Sequence, residues 1–179
     1  MKMLSKFFLC NLFGWKILGE FPKDVKKYVI IVVPHTSWVD FPIALSVKFI
    51  TNLKVTFFGK ASLFKKPYGW FFRAFGGIPI DRSTSSNTVD FIVNEFHKHD
   101  EFVFSLSPEG TRKKVEVWKT GFYHIAHNAK VPIVKVALDY EHKEIRIDSP
   151  FYTTENKDED FKNLHAYFEG VLGRHPELS

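Results

Sequence analysis

YVIIVVPHTSWVD, residues 28–40, joins six consecutive residues of buried-strand character to a proline, a histidine and, five positions after the histidine, an aspartate. β-Branched and aromatic residues in an unbroken run bounded by a turn signal predict a strand over 28–33. A hydrophobic strand needs a turn at its end, and His-Thr-Ser-Trp-Val-Asp is an uncommon composition for one. The apolar pattern of residues 41–49 predicts that a helix follows directly.

Working outward, further strand-like runs fall at 15–18, 54–58, 102–106, 133–138 and 144–147. Helical patterns lie between several of them. Residues 87–98 place Val89, Ile92, Val93 and Phe96 on one face at the three-and-four spacing of an amphipathic helix. Others run over about 120–128 and 158–172, the latter with Phe161, Leu164, Phe168 and Leu172, and a short helix opens near Pro67 and closes at Gly76 or Gly77. Strands alternating with helices predict an α/β fold. The 179 residues, 45% of them hydrophobic, are expected to form one domain over 1–179.

A single cysteine, Cys10, excludes an internal disulfide and suits a reducing compartment. A net charge of +5 alongside 20 phenylalanines suits an anionic membrane surface or a nucleic acid. No apolar stretch reaches the roughly 18 residues of a spanning helix. The first segment, MKMLSKFFLCNLFGWKIL, is interrupted by Lys2, Lys6, Asn11 and Lys16. Residues 1–22 are therefore expected either to lie on a membrane surface or to pack their phenylalanine side on the rest of the domain.

Two readings of residues 35–40 share one geometry. In the first, Ser37 caps the helix and Asp40, three residues on, closes a capping box back to the Ser37 N–H, which leaves His35 as an ordinary turn residue. In the second, His35 and Asp40 meet. Five helical steps turn roughly 500° and would leave the two side chains about 140° apart, so they meet only if the strand ends at His35 and the helix begins near Ser37. A carboxylate behind an imidazole fixes its tautomer and leaves the other ring nitrogen as a base. The sequence has no G-x-S-x-G elbow, so such a base would activate a hydroxyl arriving with a substrate. A metal-dependent hydrolase built from His35, Asp40, Asp81 and Glu109 is the alternative offered by ligand type alone, with no compact ligand spacing behind it.

Three further motifs follow: GGIPIDR (residues 76–82), SPEGTR (107–112) and VPIV (131–134). In order and spacing the set resembles the glycerolipid acyltransferases, the 1-acylglycerol-3-phosphate acyltransferases and their relatives, over about residues 28–140. His35, Ser37 and Asp40 match the first family motif, H-x-S-x-x-D; Gly77, Ile80, Asp81 and Arg82 the second; Glu109, Gly110, Thr111 and Arg112 the third; Val131 and Pro132 the fourth. The chain departs from the common pattern at Pro34, Ser107, Lys113 and Lys135.

The resemblance implies a mixed β-sheet flanked by helices and transfer of a fatty acyl group from coenzyme A or acyl carrier protein to a glycerolipid hydroxyl, with no cofactor or metal beyond the thioester co-substrate. It implies that His35 and Asp40 are catalytic. Ser37, Gly77, Arg82, Glu109, Gly110, Thr111, Arg112 and Pro132 would bind substrate. Arg82 and Arg112 offer planar forks for a phosphate, and the Glu109-Gly110-Thr111 turn is expected to bring backbone N–H groups to an anion. Glu109 itself would repel a phosphate, so its carboxylate is expected to hold an arginine or a glycerol hydroxyl.

Residues 60–82 interleave Lys60, Lys65, Lys66, Arg73 and Arg82 with Phe64, Tyr68, Trp70, Phe71, Phe72 and Phe75. This composition predicts either an interfacial segment against anionic headgroups or core aromatics with a solvated lysine face; the resemblance implies a lysolipid acceptor and, with it, a peripheral protein on the cytoplasmic face of a membrane. A noncatalytic lipid- or acyl-carrier-binding module on the same scaffold is the second class. No nucleic-acid motif is present.

Overall fold

Residues 27–33 run through the centre of the protein as strand β2 (Lys27–Val33), fourth of seven in a single sheet. The computed structural model describes residues 1–80 and 85–179. The other strands are β1 (Lys16–Leu18), β3 (Val55–Lys60), β4 (Gly77–Ile80), β5 (Phe102–Leu106), β6 (Ile133–Asp139) and β7 (Glu144–Ile147), in the order β1-β7-β6-β2-β5-β3-β4. β6 and β7 are antiparallel, joined by a tight turn; the other neighbouring strands pair parallel. The sheet is mixed, as expected.

Parallel strands need helical crossovers, which cover the sheet on both faces and account for the unbroken apolar run of β2. On one face Val29, Ile31 and Val33 pack with residues of α4 (Ser85–Lys98), α5 (Gly121–Ala129) and α6 (Lys157–Ala166), including Ile92, Phe96, Phe122 and Leu164. On the other, Tyr28 and Ile30 pack with Leu9, Trp15, and Ile43 and Val47 of α2 (Asp40–Thr51). Residues alternate between the faces because a strand has period two.

The N-terminal segment forms α1 (Lys2–Lys6), which packs against α2, and continues as a wider π-type turn at Phe7–Leu12. Leu9 is buried in the core; Met3, Leu4, Phe7, Phe8, Leu12 and Phe13 are exposed. Among the described residues no helix is long and apolar enough to cross a membrane.

Three elements differ from expectation. Residues 77–80, read only as part of a motif, form edge strand β4, where Pro79 is tolerated because one side of an edge strand needs no N–H. The short helix predicted from near Pro67 to Gly76 or Gly77 is trimmed at both ends, to α3 (Gly69–Ala74). The helix predicted over 158–172 stops at Ala166; Gly170 takes a left-handed φ of +74°, and the Leu172 carbonyl accepts the Tyr140 N–H at the end of β6. Phe168 is buried, but on a non-helical segment.

Candidate active site

β2 ends at Val33, paired with Ala137 of β6; the next residue, Pro34, has no amide hydrogen with which to extend the ladder. The chain then turns through residues 35–39 into α2. This turn lies at the C-terminal edge of the parallel strands, where open α/β sheets place their ligand crevices.

The His35–Asp40 contact forms, and with it half of the capping box: Asp40 reaches back to Ser37, but α2 begins at Asp40 with Val39 at its N-cap and no side-chain capping bond, so Ser37 does not cap the helix. Asp40 Oδ2 accepts from the Ser37 backbone N–H at 2.9 Å and lies 2.9 Å from His35 Nδ1. Ser37 Oγ accepts from the Val39 N–H at 3.2 Å. The Asp40 carboxylate is buried, 3% exposed, at the positive end of the α2 dipole, while the His35 ring remains 31% exposed. With Nδ1–H donating to Asp40, Nε2 carries the lone pair, and it has no partner among the described residues. A proton acceptor held on one side and open on the other is suited to deprotonating an incoming hydroxyl.

Strand β5 delivers the next group. Glu109, three residues past its end, accepts on Oε2 from the His35 backbone N–H at 2.7 Å and from the Ser107 hydroxyl at 3.0 Å. Burial raises its carboxyl above the ordinary value, against the lowering effect of those two donors. Through Oε2 the Glu109 carboxylate thus fixes the backbone of the histidine, a task the motif did not indicate. Gly110 takes φ +65°, and its N–H closes the local turn on the Ser107 carbonyl at 3.2 Å. Thr111 Oγ1 accepts from the Lys113 N–H at 3.3 Å, and Arg112 is exposed with no acidic partner among the described residues.

Strand β6, on the other side of β2, supplies a residue that the motifs did not indicate. The Tyr140 hydroxyl donates to Asp40 Oδ1 at 2.5 Å. Burial, then the hydrogen bond and charge of Asp40, raise its phenol far above the ordinary range, so it remains a donor. The parallel β2–β6 register is the signal that would have found it, because it sets the end of β6 beside the end of β2. Thr36 is a second omission: buried, it accepts on Oγ1 from the His175 N–H at 3.2 Å, and Gly173 packs on it so closely that an added Cβ would lie 2.5 Å from Oγ1.

Two candidate substrate residues lie elsewhere. Pro132 precedes β6, and its carbonyl accepts from the Val29 N–H near the opposite end of the sheet. Gly77 pairs with Phe57, which is level with Ser105 and through it with Ile30, five residues before His35. An added Cβ on Gly77 would meet the Phe72 carbonyl and the Phe57 and Phe64 rings, so close packing explains this glycine. Asp81 and Arg82 lie outside the described residues, as does the side chain of Lys60.

A cleft of about 540 Å³ opens beside Pro34 and Glu109, walled by Val115, Trp118, Phe168, Val171 and Leu178. Among the described residues no three His, Cys, Asp or Glu side chains are grouped to hold a metal, and the Asp40 and Glu109 oxygens that face the turn are engaged by N–H and O–H donors.

An acid-backed histidine thus stands at the C-terminal edge of a mixed α/β sheet, and sequence comparison gives the class of the chain. The chain belongs to the acyltransferase family: the family model described as Acyltransferase matches residues 17–139. The chain is similar to the 1-acyl-sn-glycerol-3-phosphate acyltransferase of Streptococcus pneumoniae, 34% identical over 120 residues, which cover 65% of this chain and 43% of that protein. It is also similar to the enzyme of that name from Escherichia coli, 30% identical over 149 residues, 78% of this chain and 59% of that one. The chain thus spans about half the length of these relatives. Its fold is that of the crystal structure of the 1-acyl-sn-glycerophosphate (LPA) acyltransferase PlsC from Thermotoga maritima, with a TM-score of 0.61 at 21% identity, covering 93% of this chain and 74% of that one.

Proposed function

We propose that this protein transfers a fatty acyl group from an acyl thioester, carried on coenzyme A or acyl carrier protein, to the free hydroxyl of a lysophospholipid such as lysophosphatidate. The observation that carries the reading is the 2.9 Å contact between His35 Nδ1 and Asp40 Oδ2, with Nε2 unpartnered at the strand edge. His35 Nε2 takes the acceptor hydroxyl proton as the oxygen attacks the thioester carbonyl carbon. The tetrahedral adduct collapses, the C–S bond breaks, and His35 returns the proton to the thiolate. Asp40 stabilises the transient imidazolium. General-base catalysis contributes about 10²–10⁴-fold, and positioning supplies much of the remainder.

The acceptor phosphate falls to Arg112 and, by family resemblance, Arg82. The apolar cleft beside Glu109 suits an aliphatic part of a substrate. Exposed Met3, Leu4, Phe7, Phe8, Leu12 and Phe13 accompany Lys2 and Lys6, and exposed Tyr68 and Trp70 accompany Lys65 and Lys66. Rings and aliphatics among cations suit docking from the cytoplasmic side onto an anionic bilayer.

The test incubates purified protein with acyl-CoA or acyl-carrier-protein donors and a panel of lysolipids, identifying products by mass. Acylated product is expected from the parent and none from His35→Ala, with the fold intact. Equal rates from the two would overturn the general-base assignment. Lysolipid binding without turnover would favour a noncatalytic lipid-binding module.

A further inference from the structure

Tyr140 lies one residue beyond the span matched by the family model and outside the four motifs. It is nonetheless in direct contact with the buried carboxylate behind His35. Its hydroxyl donates to Asp40 Oδ1, while Oδ2 receives Ser37 N–H and faces His35 Nδ1. Both carboxylate oxygens are thereby committed. A carboxylate free to rotate about its terminal torsion would spread its acceptor directions over many angles; one tied at both oxygens keeps a lone pair aimed at the imidazole.

The tyrosine is itself held. Its ring meets Trp15 edge-on, with centroids 4.9 Å apart at 87°, and its backbone N–H donates to the Leu172 carbonyl at 2.9 Å. Burial and then Asp40 raise the phenol, and the charge of Arg174 opposes that effect; Glu109 and Asp40 are the acids that meet the histidine.

We infer that Tyr140 is a positioning residue of the site, its hydroxyl orienting Asp40 and moderating how strongly that carboxylate draws on the His35 ring proton. The inference rests on the general-base reading of His35. A tyrosine retained for packing alone would be replaced by phenylalanine at no cost to the chemistry, because the ring and its contact with Trp15 remain. A tyrosine acting through its oxygen would not.

The experiment compares Tyr140→Phe with the parent, each also in an Asp40→Asn background, using an acyl-CoA and a lysolipid that the parent turns over. In the parent background kcat is expected to fall about tenfold, as for loss of one hydrogen bond to a charged group. KM should change less than twofold, since the Tyr140 hydroxyl is spent on Asp40. Without the competing donor Asp40 draws harder on the imidazole, so the acid limb of the rate profile should move to higher pH. For the same reason the His35 Nδ1–H proton resonance of the unliganded protein should move downfield. In the Asp40→Asn background the second substitution should add less than twofold. Parent-like kcat with an unmoved resonance, or the same factor in both backgrounds, would overturn the inference. The resonance is read without turnover, so it tests this contact even if His35→Ala shows the acyl-transfer reading to be wrong.

Discussion

The carboxylate of Glu109 grips the backbone N–H of His35 at 2.7 Å across 74 positions of sequence. One family motif is thus the brace of another. Glu109→Ala would leave a part-buried N–H unpaired and let the turn shift, and displacement of about 1 Å costs on the order of 10²-fold in rate. Glu109→Gln keeps a carbonyl acceptor and should lose far less. Steady-state rates of the two variants give the comparison.

The same residue makes a pH prediction. Its carboxyl is raised in the folded protein, chiefly by burial, so between the unfolded value of 4.5 and the raised one the folded state holds more proton than the unfolded state. Its contribution to stability therefore falls as pH rises through that window. Glu109→Gln cannot titrate, and its stability relative to the parent should improve over the same interval in urea melts.

Asp40 serves helix and imidazole together, so its substitutions should separate rate from stability incompletely. Asp40→Ala removes three contacts of a buried carboxylate and should cost about 3 kcal/mol along with the activity. Ser37→Ala, losing only the hydroxyl contact to Val39, should cost about 1 kcal/mol and leave the rate within a few-fold. Thermal melts beside rates distinguish them.

Gly173 against Thr36 is a steric pair. Gly173→Ala puts a carbon 2.5 Å from Thr36 Oγ1 and 2.8 Å from its Cγ2, which should lower both melting temperature and kcat. Adding Thr36→Ala removes those atoms, so the double variant should recover much of the loss despite forfeiting the His175 hydrogen bond. Losses that simply add would show that the crowding is elsewhere.

Lys135 breaks the family pattern in the middle of β6, and its ammonium pairs with Asp148 at 2.7 Å over the ring of Tyr167. Burial alone would raise the Asp148 carboxyl, but the hydrogen bond and charge of Lys135 hold it below the ordinary value. Such a group stabilises the fold above its unfolded value of 3.8, and the gain is lost as pH falls through the depressed folded value. Lys135→Met should cost about 2 kcal/mol at neutral pH, discounted from a fully buried pair because Asp148 is part-exposed. The gap to the parent should close below pH 3.8 in urea titrations.

The strand-to-helix transition at residues 33–40 was legible because each signal was local: an apolar run, a proline, and an acid three positions past a serine, although the serine does not cap the helix that follows. The α/β alternation was legible for the same reason. Residues 77–80 were hidden as a strand by Pro79, a strand breaker everywhere but at an edge, and the end of α6 was masked by Phe168 and Leu172 keeping helical spacing past Gly170. Tyr140, Thr36 and the hold of Glu109 on the His35 backbone were not legible, because each acts through a contact set by tertiary packing. Pro132 and Gly77 carried motif signals whose positions the register places away from His35.

The register of β5, β2 and β6 has one more consequence. Glu109 and Tyr140 reach the His35–Asp40 pair only after three neighbouring strands, separated by long crossovers, have zipped together. Such far-flung pairings are the slow part of assembling a chain. Recovery of turnover after dilution from denaturant should therefore report completion of the whole sheet, trailing any early gain of helical signal.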